Sequence, residues 1–373
     1  MSESLRIVAQ HLDRCFSEDQ LGSPHLSSHN YRVHPFSPNY FRMIQSIDSE
    51  SRMAFVDGGN AEIAGAPNFS IQLNRVYYNI FQGQRRVQPS RLSQRVQFIS
   101  LTFANFRDGE IFFDTKIVPM NDEAEGLLPE DGDLSFSSMD RRLCLGGARA
   151  DISRVASIAR RFAEWRLATR VAEMELHSGD AVTMDGTLRT AFGNEAKYGA
   201  KAYETAKASD VIFSGLSKSS KLLTTTGLSL LAAVDRLAHE SGYIGRWRYY
   251  PVADSLSPEH EAAIFIVRLH EQARYVFRYE IQAEQAKKLG DERLDTVLSQ
   301  LSQNSCDPSF AGYPYGLIDA HIHARVPLEE VEPCRALLLS EVSRLGSWQK
   351  LNRQIRSGNA HSVIDALTGV SNR

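Results

Sequence analysis

The chain has 373 residues, 42% apolar and 23% charged, with 42 Lys and Arg against 45 Asp and Glu for a net charge of −3. That balance excludes wholesale disorder, which needs few apolar residues and high net charge. With 24 Gly and 13 Pro it also excludes a collagen-like fibre, and it excludes a uniformly basic coat but not a local basic groove, which depends on where the charges sit.

Residues 1–20 carry Leu5, Val8, Leu12 and Phe16 at helical spacing, and 21–50 read as loop. The acids of this segment do not make a secretory signal. A short apolar run, Met53 to Val56, is expected to be a strand that stops at Asp57-Gly58-Gly59. Strands are expected at 75–81, 96–103 and 110–118, then an acidic loop over 119–138. A helix with no Gly or Pro is expected from 151 to 177, followed by a strand at 181–184 closed by Asp185-Gly186. Helix 194–208, strand 210–214, helix 218–239, strands 262–269 and 274–281, and helices 283–302, 313–325 and 334–357 complete the reading. No run approaches the roughly 20 apolar residues of a membrane span. The dispersed Cys15, Cys144, Cys306 and Cys334 fit reduced thiols, so a cytoplasmic protein is expected.

A strand, a three-strand meander, a long helix and then alternating strands and helices is close to the order of a ribonuclease H-like core. The expected fold is α/β: a mixed sheet flanked by helices, with extra β-strands and C-terminal helices. Length allows two or three domains of about 100–200 residues. The element order favours an N-terminal helix and loop (1–50), one domain over 51–345 and a helical tail over 346–373.

In such a core the acids Asp57 and Asp185 meet at one end of the sheet. Two carboxylates in one place repel, and a divalent cation with a preference for hard oxygen ligands resolves the repulsion. Two such ions about 3.5–4 Å apart suit phosphodiester hydrolysis. The long helix offers Glu164, Glu173 or Glu175 as a third carboxylate, and a helical wheel puts Glu173 nearest the apolar stripe. Near the C-terminus, His321 and His323 form an H-x-H. Only 50 residues follow His323, too few for the β/α barrel of an amidohydrolase. The alternative is a helix that aims His321, and not His323, at the acids.

Five pieces in order resemble the NurA nuclease family: Phe55-Val56-Asp57-Gly58-Gly59, Arg161 to Ala168, Thr183 to Leu188, Gly215-Leu216-Ser217-Lys218-Ser219-Ser220, and Gly312-Tyr313-Pro314 through Ala320-His321. Gly59 departs from the Ser commoner at that place. The resemblance implies a Mn²⁺- or Mg²⁺-dependent DNA nuclease, degrading from 5′ ends and cutting single strands. It implies a homodimer working with a HerA-type hexameric ATPase in double-strand break resection. It carries the metal-binding and catalytic roles to Asp57, Glu164, Asp185 and His321, favouring Glu164 over Glu173. Lys218 is then expected at a phosphate, with a catalytic role through charge stabilisation, and Tyr313 near the scissile bond. Arg246, Trp247 and Arg248 combine cations with an aromatic face for single-stranded DNA. Arg85-Arg86, Arg141-Arg142 and Arg160-Arg161 are further groove candidates. A non-catalytic DNA-end or ATPase adaptor and an RNA-directed nuclease are the competing readings.

Overall fold

A computed structural model of the chain describes residues 2–16, 20–26, 30–124, 126–144 and 146–358. The chain forms two compact units: Met1–Asp48 with Gly186–Leu188 and Gly215–Tyr313, and Ser49–Asp185 with Arg189–Ser214 and Pro314–Arg373.

The second unit is built on a mixed sheet. Strands β1 (Met53–Ala66), β2 (Phe69–Gln82), β3 (Arg95–Arg107) and β4 (Glu110–Pro119) pair antiparallel in sequence order. Helix α1 (Ile158–Met174) then leads to β5 (Ala181–Asp185), which returns parallel to β1. Helix α2 (Glu195–Ala208) leads to β6 (Ile212–Ser217), whose first half belongs to this unit. The order is β6-β5-β1-β2-β3-β4, with Ser135–Ser137 outside β4. Helices α3 (Tyr315–Ala324) and α4 (Leu328–Arg344) follow. This is a ribonuclease H-like arrangement with added C-terminal helices.

Strand β1 does not stop at its acid. It runs on through Asp57, Gly58 and Gly59, which pair with Tyr77, Val76 and Arg75 of β2. The long β2 supplies ladder partners that a sequence pattern broken by two glycines does not reveal. At β5 the expected stop is real, because Gly186 has φ +111°, a conformation that L side chains rarely adopt.

The expected 151–177 helix is two helices. Ile152–Ala156 is capped by Asp151, whose carboxylate accepts from Ser153 N at 2.8 Å, and α1 restarts after Ser157. Phe162, Trp165, Leu167 and Val171 of α1 are fully buried, and Trp165 stacks on Phe213 of β6 with ring centroids 5.7 Å apart.

In the first unit, Ala262–Arg268 pairs with Phe277–Gln282, Ala253–Ser255 and Trp247–Tyr249, and the last of these pairs with Phe41–Met43. The expected loop at 21–50 thus holds short strands, including Pro24–His25 paired with Leu223–Thr224. The helix expected from Lys218 begins only at Leu230, after that pairing and a turn at Gly227 (φ +82°). Leu230, Trp247, Tyr249, Ile264 and Ile266 centre this unit's core. Cys144, Cys306 and Cys334 are free thiols; the Cys15 side chain lies outside the described residues. Among the described residues no helix is long and apolar enough to cross a membrane.

Candidate metal centre

The β1–β5 ladder pairs Ala181 with Met53 and Met184 with Val56. One step further along these parallel strands brings Asp185 level with Asp57. Asp57 is buried at 6% exposure. Its Oδ1 accepts from Gly58 N at 2.7 Å, and its Oδ2 lies 2.9 Å from Nδ1 of His321. Asp57, Asp185 and His321 each offer one ligand atom, and these atoms lie within 4.8 Å of one another.

His321 is delivered by α3, which is held close to the sheet. A Cβ at Gly316 would stand 2.0 Å from the Phe55 ring, so only glycine admits the helix at this distance. Asn79 of β2 donates to Gly316 O at 2.8 Å and to Asp319 Oδ2 at 2.7 Å, and Arg86 donates to Asp319 Oδ1 at 3.1 Å. His323 turns elsewhere, as its spacing implies: it stacks on Tyr77 at 4.9 Å and meets the Asp319 carbonyl oxygen through Nδ1. The sequence did not mark Asn79 or Asp319, and it suggested Arg86 as a groove cation where the structure pairs it with Asp319. These partners lie more than 200 residues apart in the chain, and no local pattern marks the pairing.

Glu164 is beside these three groups but outside their cluster. It is 5% exposed and ion-paired with Arg160, one turn earlier on α1. Arg160 also donates from Nη1 to Gly58 O at 3.1 Å and from Nε to Asn60 Oδ1 at 3.0 Å. Burial pushes the Glu164 carboxyl up to about 7; Arg160 opposes this, while the charges of Asp57 and Asp185 add to it. The Glu173 favoured by the helical wheel is half exposed and ion-paired with Arg170. The wheel fails because α1 is buried on nearly every side, from Ile158 and Phe162 round to Glu164 and Val171, so no single apolar stripe marks which acid faces inward. Glu175 accepts from the backbone N–H groups of Ser90, Arg91 and Leu92 and fixes that turn.

The remaining expected contacts lie in the first unit. Tyr313 is buried between Phe277 and Phe310, with Lys218 Nζ 6.0 Å from its ring. Trp247 is fully buried against Phe41, so it has no open face for a base, contrary to the sequence expectation. Arg248 is buried and ion-paired with Asp291 and Asp295. Arg246 is partly buried, and its carbonyl accepts from Ile44 N at 3.0 Å. Of the paired arginines, Arg86, Arg142, Arg160 and Arg161 form ion pairs with Asp319, Asp140, Glu164 and Glu195. Strand Trp247–Tyr249 is buried at every position, so a core segment carries the alternation of cations and aromatics that resembles a binding motif.

The NurA domain family matches residues 51–326, a span that contains Asp57, Glu164, Asp185 and His321. This chain belongs to the NurA family. NurA proteins are a nuclease family, so the chain is placed among hydrolases. No curated protein matches this NurA chain. Among solved structures, the Aquifex aeolicus Argonaute is similar at 9% identity with a TM-score of 0.21, over 69% of this chain and 25% of that one. The NurA chain thus spans about a quarter of that protein's length, and a likeness this low carries no argument about fold or function.

Proposed function

We propose that this NurA-family chain is a divalent-metal-dependent DNA nuclease, a 5′ to 3′ exonuclease and single-strand endonuclease. The observation that carries the reading is the convergence of Asp57, Asp185 and His321 ligand atoms within 4.8 Å. The donor set fits the group: two carboxylates that would otherwise repel, with an imidazole, suit Mn²⁺ or Mg²⁺. When bound, such an ion supplies Lewis acidity to a phosphoryl oxygen and lowers the pKa of water.

Asp57 and Asp185 would hold the ion from adjacent strands, and His321 from α3. The Asp57 carboxylate orients the His321 ring through Nδ1, which leaves Nε2 of that 60% exposed ring as the nitrogen available to an ion. Lys218 is assigned to the DNA phosphates, its cation offsetting their charge. The wider setting proposed is the one the sequence resemblance implies: a homodimer working with a HerA-type hexameric ATPase on duplex ends and single strands during double-strand break resection.

The test uses purified protein with Mn²⁺ and single-stranded, duplex and RNA substrates labelled at the 5′ or the 3′ end. Cleavage of DNA that releases short products from the 5′ end is expected, and it should be lost in Asp57→Ala and Asp185→Ala. Binding of DNA ends without cleavage, with or without the ATPase, would show an adaptor; preferential cutting of RNA would overturn the DNA assignment.

A further inference from the structure

Glu164 is the carboxylate on which a second metal ion would depend, and three observations set it apart from the other donors. Side chains alternate across a strand, so Asp57 and Gly58 serve opposite faces of β1. A Cβ at Gly58 would lie 2.4 Å from Glu164 Oε1 and 3.1 Å from Arg160 Cγ, so the α1 side chains press on the face that Gly58 leaves open. Gly59, on the same face as Asp57, would carry a Cβ 2.4 Å from the Ala324 carbonyl oxygen of α3. Asp57 thus joins His321 on the α3 side, while Glu164 approaches from the α1 side.

The second observation is that Glu164 already has a cation. Arg160 is ion-paired with it and fixed by two further bonds, to Gly58 O and Asn60 Oδ1. The neighbouring Arg161 is committed elsewhere, to the fully buried Glu195 and the Arg189 carbonyl oxygen. The third observation is charge. Asp57, Asp185 and Glu164 together bring three negative charges when ionised. One divalent ion and one guanidinium offset them in full, whereas two divalent ions and the guanidinium would leave a large positive excess in a partly buried site.

We propose that each chain holds a single divalent ion, at Asp57, Asp185 and His321, and that the Arg160 guanidinium occupies the place of a second ion by holding Glu164. Arg160 is then a positioning residue: it fixes Glu164 against Gly58, directly behind the ligand strand. The proposal rests on the metal reading of the Asp57 site and deepens it.

The experiment is Mn²⁺ titration of the full chain by isothermal calorimetry, with electron paramagnetic resonance on the same samples, without substrate. Wild type is expected to bind one Mn²⁺ per chain with the spectrum of an isolated ion. Arg160→Gln keeps hydrogen-bonding capacity but removes the charge; it is expected to gain a second, weaker Mn²⁺ and an exchange-coupled spectrum. Arg160→Lys keeps a cation and is expected to return to one ion. Two coupled ions in wild type would overturn the proposal whatever the variants do, and so would a stoichiometry of one in folded Arg160→Gln. Absence of any Mn²⁺ binding by wild type would instead remove the metal reading, and this proposal with it.

Discussion

Asp57 and Gly58 are sequence neighbours with opposite duties: one offers a carboxylate to α3, the other gives up a side chain so that α1 can come close. The dipeptide looks like a turn in the sequence, yet both residues lie inside a paired strand. A methyl group at 58 has to displace the Glu164 carboxylate or the Arg160 stem. Gly58→Ala is therefore expected to destabilise the fold by about 1–3 kcal/mol, the range of overpacking in a tight site. Calorimetry reads this as a fall in Tm of several degrees; an unchanged Tm would mean that α1 does not sit at this distance. Of the three grouped donors, His321 has the most solvent access. His321→Ala leaves two carboxylates facing each other without their third donor, and its Mn²⁺ affinity is expected to fall at least about 10–100-fold, the cost typical of disturbing even outer partners of a metal site. Calorimetric titration checks this, and wild-type affinity in the variant would exclude His321 as a ligand.

At the scale of elements, helix α3 is placed by Gly316, Asn79 and Asp319 as well as by its buried Leu317, Ala320 and Ala324. Gly316→Ala forces a Cβ into the Phe55 ring, which tilts the helix away from β1 and withdraws His321 from Asp57. Weaker Mn²⁺ binding together with a lower Tm is expected, measured on one sample by calorimetric titration and thermal scan. Retained affinity with a lower Tm would show that α3 placement does not set the ligand geometry. The order of elements was legible in the sequence because the strands and α1 carry the right periodicities. The paired D-G signals marked both acids for the same reason. Extents were less legible. The run of β1 past Gly59 depends on β2, and the delayed start at Leu230 on a strand pairing with residues 24–25. Each is a tertiary contact that a periodicity cannot contain. The same limit explains Trp247: alternation of cations and aromatics looks the same whether the aromatic face meets solvent or a core.

For the whole molecule, the net charge of −3 understates how many charges are already paired. The first unit buries Glu280 completely, where its carboxylate accepts from Leu188 N at 2.8 Å, meets His260 Nε2 at 2.9 Å and pairs with Arg278. Burial works against this carboxylate, but Arg278 and His260 outweigh it and hold its pKa at about 2. A depressed carboxyl contributes stability that is fully present above its unfolded value and is lost as pH falls through the folded one. Glu280 is thus expected to destabilise the fold progressively from about pH 4.5 towards pH 2. Chemical denaturation of wild type and Glu280→Gln over that window checks the sign: the variant should start less stable at neutral pH and lose less on acidification. Parallel pH profiles would contradict it.

The proposed function requires Asp57, Asp185 and His321 to form one metal-dependent hydrolytic site on the ribonuclease H-like sheet. The most direct measurement is the single-turnover cleavage rate of 5′-labelled single-stranded DNA against Mn²⁺ concentration, for wild type, Asp57→Asn and Asp185→Asn. The wild-type rate should rise from none in chelator to a plateau, with both variants at least about 100-fold slower at every concentration. Cleavage at wild-type rate in either folded variant, or cleavage by wild type undiminished in chelator, would contradict the account.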